Sequence, residues 1–128
     1  MGGNNYDLEE RTAKFAEEII KFCKSIPLNE ITRPFINQLM KSGTSQAANY
    51  YEAVEAESKK DFIHKIGISN KEIKETKLWL RLIAQAHSPI IVQARKLWCE
   101  SHELNLIFFS IIRKTKQNLK IDNCKIDN

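Results

Sequence analysis

Apolar residues along the chain recur every three or four positions, and no stretch sustains an alternation of period two. Leu8, Thr12, Phe15, Ile19, Phe22 and Ile26 form one such stripe, which predicts a helix over about 8–25 that Pro27 stops. A second helix spans about 30–57, with Leu39, Met40, Ala47, Tyr50 and Val54 on its inner side. Ser42-Gly43-Thr44-Ser45 interrupts it with poor helix formers, which suits a kink or a close crossing by a neighbour. The third helix, about 59–85, takes Ser58 as its N-cap with Asp61 three residues on. Phe62, Ile66, Ile73, Leu80 and Ile83 mark its apolar side. The fourth, about 89–118, opens with Ser88 as cap and Pro89 at the first helical position, and 119–128 reads as a polar tail. Four long helices with short links predict an all-α, antiparallel up-down-up-down four-helix bundle, one domain over residues 1–118.

Two features depart from a plain bundle. On the third helix Asp61, Lys65, Glu72 and Glu75 fall inside the apolar arc, where a charge must be paired. Asp61 and Lys65 are four apart and can pair with each other, whereas Glu72 and Glu75 need another helix or another chain. Asn49 and Glu52 share a face of the second helix that points away from its apolar stripe. These six residues are expected to form a structural polar network. The fourth helix carries apolar residues around far more of its circumference than the roughly 100° stripe a bundle helix buries. It is therefore expected to be covered twice, by its own bundle and by a second subunit.

Composition narrows the function. At 128 residues, with 42% hydrophobic and 28% charged, the chain has the make-up of a single packed domain rather than a disordered one. No apolar run approaches the ~20 residues that span a bilayer, and the N-terminus lacks the pattern of a signal peptide. A cytoplasmic protein without a membrane partner is expected. Three cysteines without a CxxC spacing argue against a disulfide scaffold or a zinc knuckle, and Cys23 lies on an apolar face as a small core residue. Asp61-x-x-His64 is the nearest approach to a bundle metal motif, and Cys99-Glu100-Ser101-His102 has the wrong spacing, so neither metal nor cofactor is expected. There is no P-loop and no Ser-His-Asp or Cys-His arrangement, so no enzyme is expected.

Charge adds a candidate partner. The net charge is +4 and unevenly placed: residues 1–30 carry four basic and six acidic side chains, residues 91–128 seven and four. Arg113, Lys114, Lys116 and Lys120 follow one another without an acid among them. With Lys71, Lys74, Lys77 and Arg81 of the third helix they are candidate phosphate contacts to RNA or DNA. The same charges also suit a solvated face and, for the last four, a helix C-terminal end.

Several blocks follow one another in a known order. They are Tyr6-Asp7-Leu8-Glu9-Glu10-Arg11-Thr12, Ser45-Gln46-Ala47-Ala48-Asn49-Tyr50-Tyr51-Glu52-Ala53, Glu57-Ser58-Lys59-Lys60-Asp61-Phe62, and Lys71-Glu72 with Lys74-Glu75-Thr76-Lys77-Leu78-Trp79-Leu80. Over about Tyr6 to Ile83 the chain resembles the four-helix-bundle proteins encoded in intervening sequences of bacterial 23S ribosomal RNA genes. It departs at Ala47, where the pattern usually has glycine. The resemblance implies a small all-α subunit that assembles as a homopentamer. It is similar to the accessory protein of diversity-generating retroelements, a basic pentameric barrel that binds nucleic acid and a reverse transcriptase. No catalytic residues come with it. The expectation is a non-enzymatic homopentamer with a salt-dependent affinity for RNA or DNA. The competing expectation is a protein-interaction scaffold for a partner encoded nearby, docked at Asn49 and Glu52.

Overall fold

The apolar rows become helices, and the chain breaks where capping side chains take over its backbone donors. The computed structural model describes residues 5–127, with side chains from 8 to 124. Among them are four α-helices and no strand: α1 is Asn5–Lys24, α2 Thr32–Val54, α3 Lys59–Ala86 and α4 Ile91–Asp127. Asn29 organises the first link, its side-chain oxygen accepting from the backbone N–H groups of Ile31 and Thr32 at 2.9 Å each. The Thr32 hydroxyl donates back to the Pro27 carbonyl at 2.6 Å. Ser58 caps α3 as expected, accepting from the Asp61 N–H at 3.0 Å.

Three boundaries differ from the sequence reading. α2 ends at Val54 rather than near 57, because the Glu55 and Ala56 N–H groups turn back to the carbonyls of Glu52 and Ala53. Ser88 does not cap α4; it opens a 3-10 turn, Ser88–Ile90, that leads into the helix. Residues 119–127 are helix, not tail, and Asn128 lies outside the described residues. That stretch holds neither glycine nor proline, and Asp122 forms an ion pair with Lys59 at the start of α3.

α3 is the central element, packing extensively on both α2 and α4, while α1 lies mainly on α2. The core joins Phe15, Ile19 and Phe22 of α1, Leu39 and Tyr50 of α2, Ile66, Ile73, Leu80 and Ile83 of α3, and Leu97, Leu104 and Phe108 of α4. Tyr50 stacks on Phe108 with ring centres 5.9 Å apart. Cys23 is a buried core residue, and burial pushes its thiol up to about 11, so it is protonated and unreactive at neutral pH.

The weak helix formers of α2 mark a close crossing, and α2 runs through them unbroken. A Cβ added at Gly43 would sit 2.8 Å from Ile19 Cγ2 and 3.0 Å from Ile19 Cγ1. Beside it, Gln46 Nε2 donates to the carbonyls of Thr12 (3.0 Å) and Gly43 (3.2 Å), and the Gln46 carbonyl accepts from Ser69 at 2.9 Å. Ser42 and Thr76 join α2 to α3 through their hydroxyls at 2.9 Å. Small and hydroxylated residues thus bring three helices together around residues 42–46.

Gly43 and Gly67 should answer the same substitution with opposite signs. Gly43→Ala drives a methyl into Ile19, which is fully buried and cannot move, and should cost about 1–3 kcal/mol despite alanine's better helix propensity. A Cβ at Gly67 meets nothing within 4 Å, so Gly67→Ala should stabilise by about 0.5–1 kcal/mol. Thermal melts read this as a fall and a rise of Tm, at roughly 4 °C per kcal/mol for a domain of this size.

Candidate nucleic-acid interface

Residues three and four apart on a helix share a face. That rule puts Asn70, Lys74, Lys77 and Arg81 of α3 in one row. On α4 it aligns Arg95, Trp98, His102, Asn105, Phe109, Arg113, Lys116 and Lys120. The two rows meet along a seam. Lys77 Nζ lies 3.1 Å from His102 Nδ1 and donates to Asn105 Oδ1 at 3.3 Å, and the Asn105 amide donates to Asn70 Oδ1. An ammonium has only donors, so His102 accepts at Nδ1 and a neutral ring carries its proton on Nε2. The imidazole also stacks on Trp98 at 5.2 Å, and Lys77 Nζ is 5.1 Å from the Trp98 ring centre. At one end Arg81, Arg95 and Trp98 line a common groove; at the other Lys60, His64 and Lys116 line a shallow recess.

The acids of these helices turn elsewhere. On α4, Glu100 accepts from the Nε–Nη2 edge of the Arg11 guanidinium at 2.8 and 2.9 Å, and Glu103 accepts from Nη2 at 2.7 Å. The Glu100 hydrogen bonds hold the Arg11 guanidinium even more firmly protonated than usual. On α3, Glu72 and Glu75 lie off the seam row, and Glu72 feels Lys41 of α2. Among the described residues neither carboxylate forms an ion pair. Burial first, and then the neighbouring Glu75, raise the Glu72 carboxyl above the usual range. The seam therefore carries cations and aromatic rings with no carboxylate among the described residues.

Of the expected phosphate contacts, Lys74, Arg81, Arg113, Lys116 and Lys120 are exposed on the seam. Lys77 is half-buried and committed to its α4 partners. Lys71 and Lys114 are exposed but fall outside the two rows. The six expected network residues do not connect into one network. Lys65 pairs with Glu52 at 2.7 Å and not with Asp61, because α2 brings the Glu52 carboxylate within reach. Asn49 donates to the Ser45 carbonyl of its own helix at 2.9 Å, and Asp61 is exposed. Cys99 is also exposed, and among the described residues no group of three or more His, Cys, Asp and Glu could hold a metal ion. No described helix is long and apolar enough to cross a membrane. Arg11, Arg95, Trp98 and Asn105 were not singled out as site residues from the sequence, and His102 was weighed only within a metal motif of the wrong spacing. Their 3–4 spacing was legible there, but Trp98 and Phe109 were counted only as surplus apolar surface.

Residues 4–105 match the family described as 23S rRNA-intervening sequence protein, most of the chain. The chain belongs to that family. The match runs beyond Ile83 into α4, taking in Arg95, Trp98, His102 and Asn105 and stopping before Arg113. Among solved structures, the protein is similar to a protein of unknown function from the S23 ribosomal protein family of Bacteroides thetaiotaomicron. The two share 30% identity over 85% of this chain and 97% of that one, with a TM-score of 0.74. No curated protein matches the chain.

Among the described residues Arg11 is the one side chain that ties α1 to two α4 carboxylates, and its bond to Glu100 is bidentate. Arg11→Met should lower stability by about 1 kcal/mol, the upper end for a partly exposed pair. Denaturant unfolding in low salt and in 1 M salt checks it, and the difference should shrink in high salt as screening weakens the wild-type clasp.

Proposed function

We propose that this family member works without catalysis, as a homo-oligomer of antiparallel up-down-up-down subunits that binds RNA or DNA along the α3–α4 seam. The carrying observation is the segregation of charge, with the seam basic and aromatic and the carboxylates of α3 and α4 turned away from it. Phosphate binding needs such a row of cations, and an acid within it would repel the ligand. A homopentamer, as the family resemblance implies, repeats the seam five times around a ring and raises a modest affinity by multivalency. Val92, Leu106 and Phe109, each more than half exposed on α4, support a second copy as the cover. The scaffold reading has less support, because Glu52 already holds Lys65 and Asn49 holds its own helix.

Light scattering behind a sizing column should give a mass near five times the 14.9 kDa of the chain, and a monomer mass would overturn the assembly. Fluorescence anisotropy with labelled RNA at 50 and 200 mM salt tests binding. Affinity should fall with salt, and Lys74→Glu with Arg81→Glu should weaken it and flatten the salt slope by roughly 1.4. Arg113→Glu should weaken binding while Lys114→Glu, equal in charge but off the seam, should not. Equal effects of the two would assign binding to net charge alone.

Glu72 reports assembly by the sign of its effect. In a single chain its folded pKa is raised, so its charge costs stability once the pH exceeds that value, and Glu72→Gln would raise Tm at pH 7. In the assembly a cation from a neighbouring copy pairs with it, and the expected result is a fall in Tm. A rise would leave the Glu72–Glu75 pair uncovered and count against the assembly.

A further inference from the structure

Where the end of α3 meets the start of α4, the seam opens into a groove of about 260 Å³. Buried Leu80 and Ala94 form its floor, exposed Arg81 and Arg95 its rim, and Trp98 one end. No carboxylate lines it. Trp98 is 37% exposed. His102, one turn C-terminal, lies nearly parallel to the indole at an interplanar angle of 12°. Ile91, Ala94 and Arg95, N-terminal to Trp98 on α4, line the groove with it. Lys77 lies within hydrogen-bonding distance of His102 and 5.1 Å from the Trp98 ring centre, so both rings have a neighbour on α3.

We propose that this groove receives one unpaired nucleobase, stacked on the exposed part of the Trp98 ring, with its flanking phosphates on Arg81 and Arg95. The proposal rests on the nucleic-acid reading above and names the part of the ligand that the seam grips. An aromatic platform held by its own neighbours loses little freedom when a base stacks on it, and two guanidinium groups beside it match the charge of the adjoining backbone. The groove is smaller than the ~300–1,000 Å³ that encloses a whole drug-sized ligand, so it takes one base of a longer strand. Bases inside a duplex are already stacked on both faces, so the strand recognised here is single. Sugar identity does not enter this contact, so RNA and DNA share it.

The test uses the full-length protein and three labelled probes at one salt concentration: a 12-nucleotide oligo(U), the matching oligo(dT) and a 12-base-pair RNA duplex. Trp98→Leu keeps apolar bulk but removes the stacking face, and should weaken binding of the single strands about 5-fold or more while leaving the duplex unchanged. Trp98→Phe should restore most of the loss, since a phenyl ring still stacks. Trp98 is exposed enough that melting should stay near wild type, and a melt of each variant checks this. If Trp98→Leu binds all three probes as the wild type does, the base site is overturned and the phosphate track stands. Equal losses on single strands and duplex would also overturn it, because Trp98 would then act through the fold. If the wild-type protein binds none of the probes, both readings fall, and the groove is left to an acidic protein segment.

Discussion

The orientation of α3 depends on how closely α2 lets its neighbours approach. At Gly43 the backbone of α2 meets Ile19 of α1 at a distance that leaves no room for a methyl group. On either side, Ser42 and Gln46 reach Thr76 and Ser69 of α3, and Gln46 also reaches Thr12 of α1. All of these polar residues are buried, and an orphaned buried donor or acceptor costs about 1–3 kcal/mol. Rotating α3 by one residue would carry Ser69 and Thr76 away from their partners. The same rotation would swing Lys74, Lys77 and Arg81 away from α4. Hydrogen bonds inside the bundle therefore set the direction of a charged row outside it.

Charge segregation has its own structural cause. α4 contains acids and bases in similar measure over its first half, and mixed at random they would cancel. Arg11 draws Glu100 and Glu103 to the α1 side, where their charge is neutralised at short range. Lys77 meanwhile spends its donors within the seam, orienting His102 and Asn105 instead of reaching for solvent. Arg81, Arg95, Arg113 and Lys116 are thus left as cations without a local carboxylate. A net charge of only +4 conceals this, because the excess is spatial rather than compositional.

Helix number and the apolar faces were legible in the sequence because the period of 3.6 is strong from Leu8 to Phe109. The crossing at Ser42–Ser45 was legible for the same reason: small residues in a helix either bend it or admit a neighbour, and here they admit one. Boundaries were less legible where side chains far apart in sequence decide them, as Lys59 does for the C-terminal end of α4. Pairing of charges was misread in one instructive case. The i,i+4 rule offers Lys65 the carboxylate of Asp61, but α2 places Glu52 closer, and tertiary geometry overrides local spacing. The seam was half legible. Its cations were found from runs of like charge, while Arg95 and Trp98 were passed over and His102 was weighed only in a metal motif, because the contacts of Lys77 with Trp98 and His102 come across from α3.

The rows of α4 also bear on whether assembly and ligand binding compete. Ala94, Leu97, Ser101, Leu104 and Phe108 face the bundle, and Trp98, His102 and Asn105 face the seam with α3. Val92, Cys99 and Leu106, seven apart, are exposed and flank the seam row, each three or four residues from Arg95, His102 or Phe109. If a second copy covers that row, as proposed, it would lie beside Arg95 and His102 and over the exposed Phe109 of the seam row, so assembly and ligand binding would share part of one face. The wide apolar circumference of α4 divides into a buried side that packs in the core and an exposed side, Val92, Leu106 and Phe109, that the proposed assembly would cover.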